Sequence, residues 1–561
     1  MIGVLAKPGQ AAVVEEFFEL FKTPWEFYRA GRQYEVVITT TADIPAIAAP
    51  VVFVYSAEAT GVDARHRLTL GARHKRGVLT PYRDGHSLPI YGDLATFTDP
   101  AGAVPCLASS AGIAGLRVEH ATSTIIRVGY DLFAEVEYLL SIGQPAEHAH
   151  VPTLDLHIGM LREWILNAGI PVLEIPPVPA GHAFAVCLTH DIDFIGIRHH
   201  RFDHTMWGFL YRSTLGAVRD LLRRRISTRR LLRMWRAAAS LPFVYLGWAK
   251  DFWEPFDWFL RVEKRLPATY FLIPFKGRSG QKVPGRHASR RATAYDVDDL
   301  SRQAVTLMQA GCELGVHGID AWHSAALGRD ELARLAVITG ASNIGIRMHW
   351  LLQDADSAAM FERAGYAYDA SAGYNDTIGY RSGTTQVFRP LGMATLLELP
   401  LHIQDGALFY PQKLDLSEAD AEQRCSTLIA NSRRLGGVLT LLWHDRSHGP
   451  ERFWGEFYAK LVEGLKSENP WFGTAGQVVS WFEKRRRVQF EQVQTEEGAR
   501  TSLRYDGEPI APPLVVKVHL PKDDRYSGRS TRADLSWDGT RPADVDSPRP
   551  FINPQRAHSL S

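Results

Sequence analysis

The sequence predicts an α/β protein whose main region alternates strands and helices around a mostly parallel sheet or barrel, and three observations predict it. From Phe184 onward, short apolar runs (AFAVCLTHD, ATYFLIPF, CELGVH, AYDAS, TLLELPL, GVLTLLWHD) are separated by stretches of helical periodicity, the pattern of successive βα units. Polar and titratable residues gather at the C-terminal ends of these runs, the edge at which the loops of such folds converge. A length of 561 residues with 45% hydrophobic side chains supplies several filled cores.

Residues 1–150 mix strand-like runs (IGVLA, YEVVITT, VVFVYS) with the helical period of YDLFAEVEYLLSIG and read as a small α/β domain of unassigned function. In residues 151–183 a helix, LDLHIGMLREWILNAG, stops at a glycine, and IPVLEIPPVPAG follows as a proline-rich joint that cannot extend it. Residues 184–487 form the βα region, interrupted at about 197–262 by an insertion. Residues 488–525 make a short extension in which LVVKVHLP is a strand, and residues 526–561, rich in Ser, Asp, Arg, Pro and Gly, are expected to be partly flexible.

Composition removes several classes of function. Sixty-three basic against 62 acidic residues leave a net charge of +1, too little to attract nucleic acid generally. Four scattered cysteines build neither a disulfide scaffold nor a C-x-x-C site and point to a reducing compartment. The N-terminal segment turns acidic without the features of a secretory signal, so the expected location is cytoplasmic, with a peripheral position at the inner membrane face as a variant. The longest nearly uncharged apolar stretch, 237–249, contains Pro242 and is short of the roughly twenty residues a bilayer span requires.

Five strand-end clusters carry chemistry. In Thr189-His190-Asp191-Ile192-Asp193, residues two apart face the same way, so Asp191 and Asp193 either converge on one centre, one holding a cation and the other taking a proton, or simply cap a turn. In GVHGIDAWH, His317 and His323 with Asp320 between them suit a divalent ion that keeps one position open for water. Arg347 and His349 in RMHW, Asp369 in YDAS and His444 in LLWHD complete the series. Each is unremarkable alone, and their order carries the weight.

In that order the chain resembles the polysaccharide deacetylase family, over about residues 184–487. The resemblance implies a distorted (β/α) barrel and a hydrolase that removes acetyl groups from amino sugars with one divalent metal, Zn2+ first and Co2+, Ni2+ or Mn2+ as alternatives. It further implies Asp191 as general base, Asp193 and His317 as metal ligands, Arg347 positioning the base, Asp369 tuning the acid and His444 protonating the leaving amine. The third ligand is expected to be His323, with Asp320 as its alternative, although the six-residue step from His317 to His323 is wider than the family's usual spacing. Two further departures are His349, where the family has proline, and the long insertion after THDID.

The insertion holds nine arginines and one acid between Arg212 and Arg236, interleaved with apolar residues at helical spacing. It therefore reads as a basic face for a membrane surface or a phosphate, or as two ordinary solvated helices. His199, His200 and His204 form a rival metal cluster. The expected substrate is an N-acetylated amino sugar of a surface polysaccharide or of its cytoplasmic precursor. The alternatives are an inactive carbohydrate-binding scaffold and a hydrolase of another small C–N bond.

Overall fold

The computed structural model describes residues 1–43, 45, 47–81, 87–99, 102–120, 123–264, 266–282, 291–495, 498–521 and 534–546. The chain forms two units: Met1–Gly181 with Tyr380–Gly392 and Ser480–Ser561, and His182–Gly379 with Met393–Val479.

The second unit is built on a parallel sheet. Its strands are β1 (Ala185–Ile192), β2 (Ala268–Leu272), β3 (Glu313–Gly318), β4 (Ile346–Met348), β5 (Tyr368–Asp369), β6 (Leu397–Glu398), β7 (Ile403–Gln404), β8 (Val438–Leu442) and β9 (Trp471–Phe472). Their order is β6-β5-β4-β3-β2-β1-β8-β7, with β9 against the start of β1. Every residue of β1, β2 and β8 is buried, the continuous apolar reading of strands covered on both faces. β6 and β7 belong to one extended passage. Leu399 and Leu401 donate their N–H groups to the carbonyls of Asp369, at the end of β5, and Ala372, just beyond it, whereas His402 donates to Thr440 in β8. The two edges of the sheet are therefore contributed by one passage, residues 397–404.

Connecting helices are set by local signals. Ser324 accepts the Leu327 N–H at the start of Ala325–Thr339, and Gly340, at φ 65°, ends it in the left-handed conformation that glycine adopts without strain. The insertion is helical: α1 (His204–Tyr211) runs through a π-helical turn, Arg212–Gly216, into α2 (Ala217–Leu222), followed by α3 (Thr228–Tyr245) and α4 (Phe256–Glu263). α3 buries Leu231, Met234, Ala237, Leu241 and Val244, one residue per turn.

The first unit has a nine-stranded mixed sheet. Parallel strands Ile2–Leu5, Trp25–Phe27, Val36–Thr39, Val51–Tyr55 and Thr124–Val128 continue into the antiparallel strands Thr69–Pro81, Leu88–Asp99, Val104–Ser109 and Gly112–Glu119. Phe17, Phe133, Leu161 and, from far along the chain, Phe388 share its core. Residues 380–392 and 480–487, read from sequence as parts of the βα region, belong to this unit. Between 151 and 183, the helix Thr153–Asn167 is followed by a strand, Val172–Glu174, which pairs antiparallel with Leu514–His519. In the tail expected to be flexible, Leu535–Trp537 and Ala543–Asp546 are strands, and residues 526–533 and 547–561 lie outside the described residues.

Candidate metal and hydrolytic site

The alternation of β1 sorts the THDID residues. His190 turns away from the cleft: its Nε2 lies 2.7 Å from Glu263, its Nδ1 3.0 Å from the Trp443 carbonyl oxygen, and it is fully buried, a packed structural histidine. Thr189 and Asp191 point the other way and meet Arg347, whose Nη1 lies 2.7 Å from the Thr189 hydroxyl and 3.2 Å from Asp191 Oδ1. A third bond, Arg347 Nε–H to the Ala370 carbonyl at 2.9 Å, fixes the guanidinium. Arg347 has no exposed surface, so an Asp191 carboxylate is what compensates its buried charge.

Parallel register places His317 of β3 beside Arg347 of β4. His317 Nδ1 lies 3.0 Å from the Arg347 carbonyl oxygen, which makes Nδ1 the protonated nitrogen and leaves the Nε2 lone pair facing the carboxylates. His349 arrives just past β4, where Trp350 and Leu351 adopt φ 64° and 51°, a conformation costly for bulky residues and typical of functional sites. His349 Nδ1 then lies 2.9 Å from His317 Nε2 and 3.2 Å from Asp193 Oδ1, and His317 Nε2 is 3.5 Å from that same oxygen. Neither nitrogen is aligned to donate to it, and Asp193 Oδ1 is buried without a hydrogen bond. These three donor atoms form one group, and separations of 2.9 to 3.5 Å are ones that a single ion with ligand bonds of about 2.0–2.2 Å can bridge. A carboxylate and two imidazoles are also the donor chemistry of zinc and related divalent ions. The two histidines, together with Asp193's proximity to them, hold the Asp193 carboxyl well below its usual range against the opposing effect of burial.

Across the cleft, His444 follows β8. Its Nδ1 lies 2.6 Å from Asp405 Oδ1, and its backbone N–H donates to Asp405 Oδ2 at 2.9 Å. The Ser447 hydroxyl also donates to Asp405 Oδ2. Burial opposes the imidazolium, but Asp405, with smaller help from Asp193 and Asp191, outweighs it and raises the His444 pKa to about 10. Asp191, Asp193, His317, His349 and His444 line one cleft, whose wall also carries Arg446 and Arg452.

Not every expected residue is in this cleft. His323 and Asp320, expected to compete for the third ligand position, pair with each other at 3.1 Å, and neither joins the three-donor group, which takes His349 instead. The physical cause is the buried Glu331 carboxylate, which accepts the Ile319 and Asp320 N–H groups and turns the loop, while Asp320 Oδ1 accepts the Gln281 N–H. Asp369, expected to tune the acid, is engaged elsewhere. It accepts from the Ser371 N–H and hydroxyl and from Gln353, and it shares a buried carboxyl pair with Glu398, whose pKa is raised by burial and by Asp369 itself. The carboxylate on His444 is Asp405, at the end of β7. Its signal was present in sequence, since LHIQD is one more polar ending to an apolar run. His200 is paired with Asp203 at 2.7 Å, and among the described residues no three-donor group forms around His199, His200 and His204.

No family model matches the chain, and no curated protein matches it either. Solved structures similar to it include polysaccharide deacetylases, the family its motifs resemble. The structure of Agd3, a novel carbohydrate deacetylase, is 9% identical, with 97% of this chain and 98% of that one covered and a TM-score of 0.37. A putative polysaccharide deacetylase from Mycobacterium smegmatis is 18% identical, covering 55% of this chain and 93% of its own, at a TM-score of 0.32. PuuE allantoinase is 13% identical over 54% of this chain and 92% of its own, at 0.34.

Proposed function

We propose that the chain is a metal-dependent deacetylase that hydrolyses the N-acetyl group of an amino sugar, on a distorted (β/α) barrel closed by residues 397–404. What supports this reading is one arrangement: a carboxylate and two imidazoles converging on a point, with Asp191 fixed by Arg347 on one side of the cleft and His444 fixed by Asp405 on the other. Asp193, His317 and His349 would hold the ion. A divalent cation bound there supplies Lewis acidity, making a water acidic and polarising an acyl oxygen.

The chain's own groups do the rest. Asp191 Oδ1 is engaged by Arg347, which leaves Oδ2, 3.7 Å from His317 Nε2, to take a proton from the attacking water. His444 Nδ1 is occupied by Asp405, so Nε2 is the nitrogen that donates to the departing amine, and the raised pKa keeps that proton in place at neutral pH. Arg446, packed 3.9 Å over the Phe194 ring, and Arg452 add positive charge to the same wall. They favour a sugar that carries an anionic group, as a lipid-linked or nucleotide-linked precursor does.

The test is elemental analysis of the purified chain combined with acetate release from N-acetylated saccharides. One divalent ion per chain and metal-dependent acetate release are expected. A chain that folds, binds saccharide and holds no stoichiometric metal would be a scaffold rather than an enzyme.

A further inference from the structure

The insertion exposes the side chains that soluble surfaces ordinarily hide. Among the described residues, eleven of the eighteen exposed large apolar side chains fall between Phe202 and Trp248. They are not scattered. Trp207, Tyr211, Leu215, Val218 and Leu222 follow one another at steps of four, four, three and four along α1, the π-helical turn and α2, a single stripe on a helical surface. Leu222 is 80% exposed and Leu215 70%. On α3, Leu232, Trp235 and Phe243 repeat the pattern beside the buried Leu231, Met234 and Leu241, and Trp248 follows at 75% exposure. The inward faces are already satisfied, Ala217 packing with Leu231, Met234 and Phe453. The outward stripes are thus not the back of an unfinished core.

Charge selects the occupant. Arg225, Arg230 and Arg233 are neutralised by Asp415, Glu418 and Glu456 of the same unit. Arg223, Arg224, Arg229 and Arg236 are exposed and pair with no acidic side chain among the described residues. A second copy of this chain would set these four cations against their equals across a two-fold contact. A surface of anionic lipid meets them with phosphates while Trp, Tyr, Phe and Leu enter the boundary between headgroups and acyl chains, where such rings are favoured. No helix among the described residues is long and apolar enough to cross a membrane, so the contact is one of lying on the surface.

We propose that the helical hairpin formed by α1, α2 and α3 docks the protein on membranes containing anionic lipid. The experiment is co-sedimentation of the full chain with vesicles of phosphatidylcholine alone or mixed with phosphatidylglycerol, with tryptophan quenching by brominated acyl chains as a second reading. Preferential sedimentation with the anionic vesicles and quenching of the insertion's tryptophans are expected. A Leu215→Ser, Leu222→Ser, Trp235→Ser variant, whose changes are all at exposed positions, should bind on the order of tenfold more weakly or worse, with an unchanged thermal melt as the folding control. Reversing Arg223, Arg224, Arg229 and Arg236 to Glu should remove the preference for anionic vesicles. Absence of sedimentation, equal binding to neutral vesicles, or binding untouched by both variants would overturn the proposal. So would a dimeric chain that the serine variant converts to monomer, since the face would then be a contact between copies.

Discussion

The cleft and the insertion lie in the same unit and treat polarity in opposite ways. In the cleft, charged groups are buried: Arg347 is wholly enclosed, Asp405 is wholly enclosed, and their charges are answered by Asp191 and His444. On the insertion, tryptophans and leucines face outward while four exposed arginines meet no acidic side chain among the described residues. Either inversion costs stability if nothing further binds, because buried charge and exposed apolar surface are both normally avoided. The two differ in the ligand proposed for each: a small, hard, charged one in the cleft, and a broad, partly apolar one on the insertion.

The comparison can be broken most severely in the cleft. Replacing His317 or His349 with alanine removes one of three donors, and bound metal measured by elemental analysis should fall from stoichiometric to near zero, with acetate release lost alongside it. Retention of full metal by both variants would dissolve the proposed centre.

His444→Ala should come next, slowing amide hydrolysis by about 10²–10⁴-fold, as for loss of a positioned acid. An activated acetyl ester, whose leaving group hardly needs a proton, should be slowed far less. Equal losses on both substrates would recast His444 as a binding residue. In metal-free protein, Asp405→Asn should lower the His444 pKa from about 10, read by NMR titration. The sign follows from the raised folded value: stability from this pair is fully present below the unfolded histidine pKa of about 6.5 and is lost as pH rises through about 10. The variant should lose that high-pH fall in stability.

The insertion predicts a sharp contrast between neighbours. Leu231→Ala opens a buried position and should cost about 2–5 kcal/mol, whereas Leu232→Ser, one residue on and 56% exposed, should stay within about 0.5 kcal/mol in denaturant unfolding. Similar values for the two would mean that the outward face is packed in solution. The smallest effect belongs to His323→Ala, which should leave metal content unchanged because His323 is spent on Asp320.

Much of the second unit could be read from sequence because its cues are local. Apolar runs of five to eight residues gave the buried strands, and the polar residue after each gave Asp191, Asp193, His317, Arg347 and His444 their shared edge. The choice between His323 and His349 was not local. It turns on where Glu331, eleven residues beyond Asp320, puts its carboxylate, and on a left-handed turn at Trp350 that no residue preference announces. Asp405 was passed over because the apolar run was ended at TLLELPL, whereas the chain goes on to pair a second time, through Ile403–Gln404, with a different neighbour. The fate of 380–392 had no sequence marker at all, since the contribution of Phe388 to a core that begins at Ile2 is a matter of tertiary contact alone.

That shared core has a consequence for the order in which the protein can be made. A ribosome releases the chain from its first residue onward, yet the core around Phe17 and Phe133 also takes Phe388, and the last strands of the same unit lie beyond residue 480. The core therefore takes Phe388 only after β1 to β5 of the parallel sheet have been synthesised. Every other buried residue of that core lies between Ile2 and Val172, so the N-terminal segment can cover most of its own apolar surface once made, while Phe388 follows some two hundred residues later, at roughly 5–20 residues per second. Over that interval, of order ten seconds or more, the place of Phe388 in the core stays open.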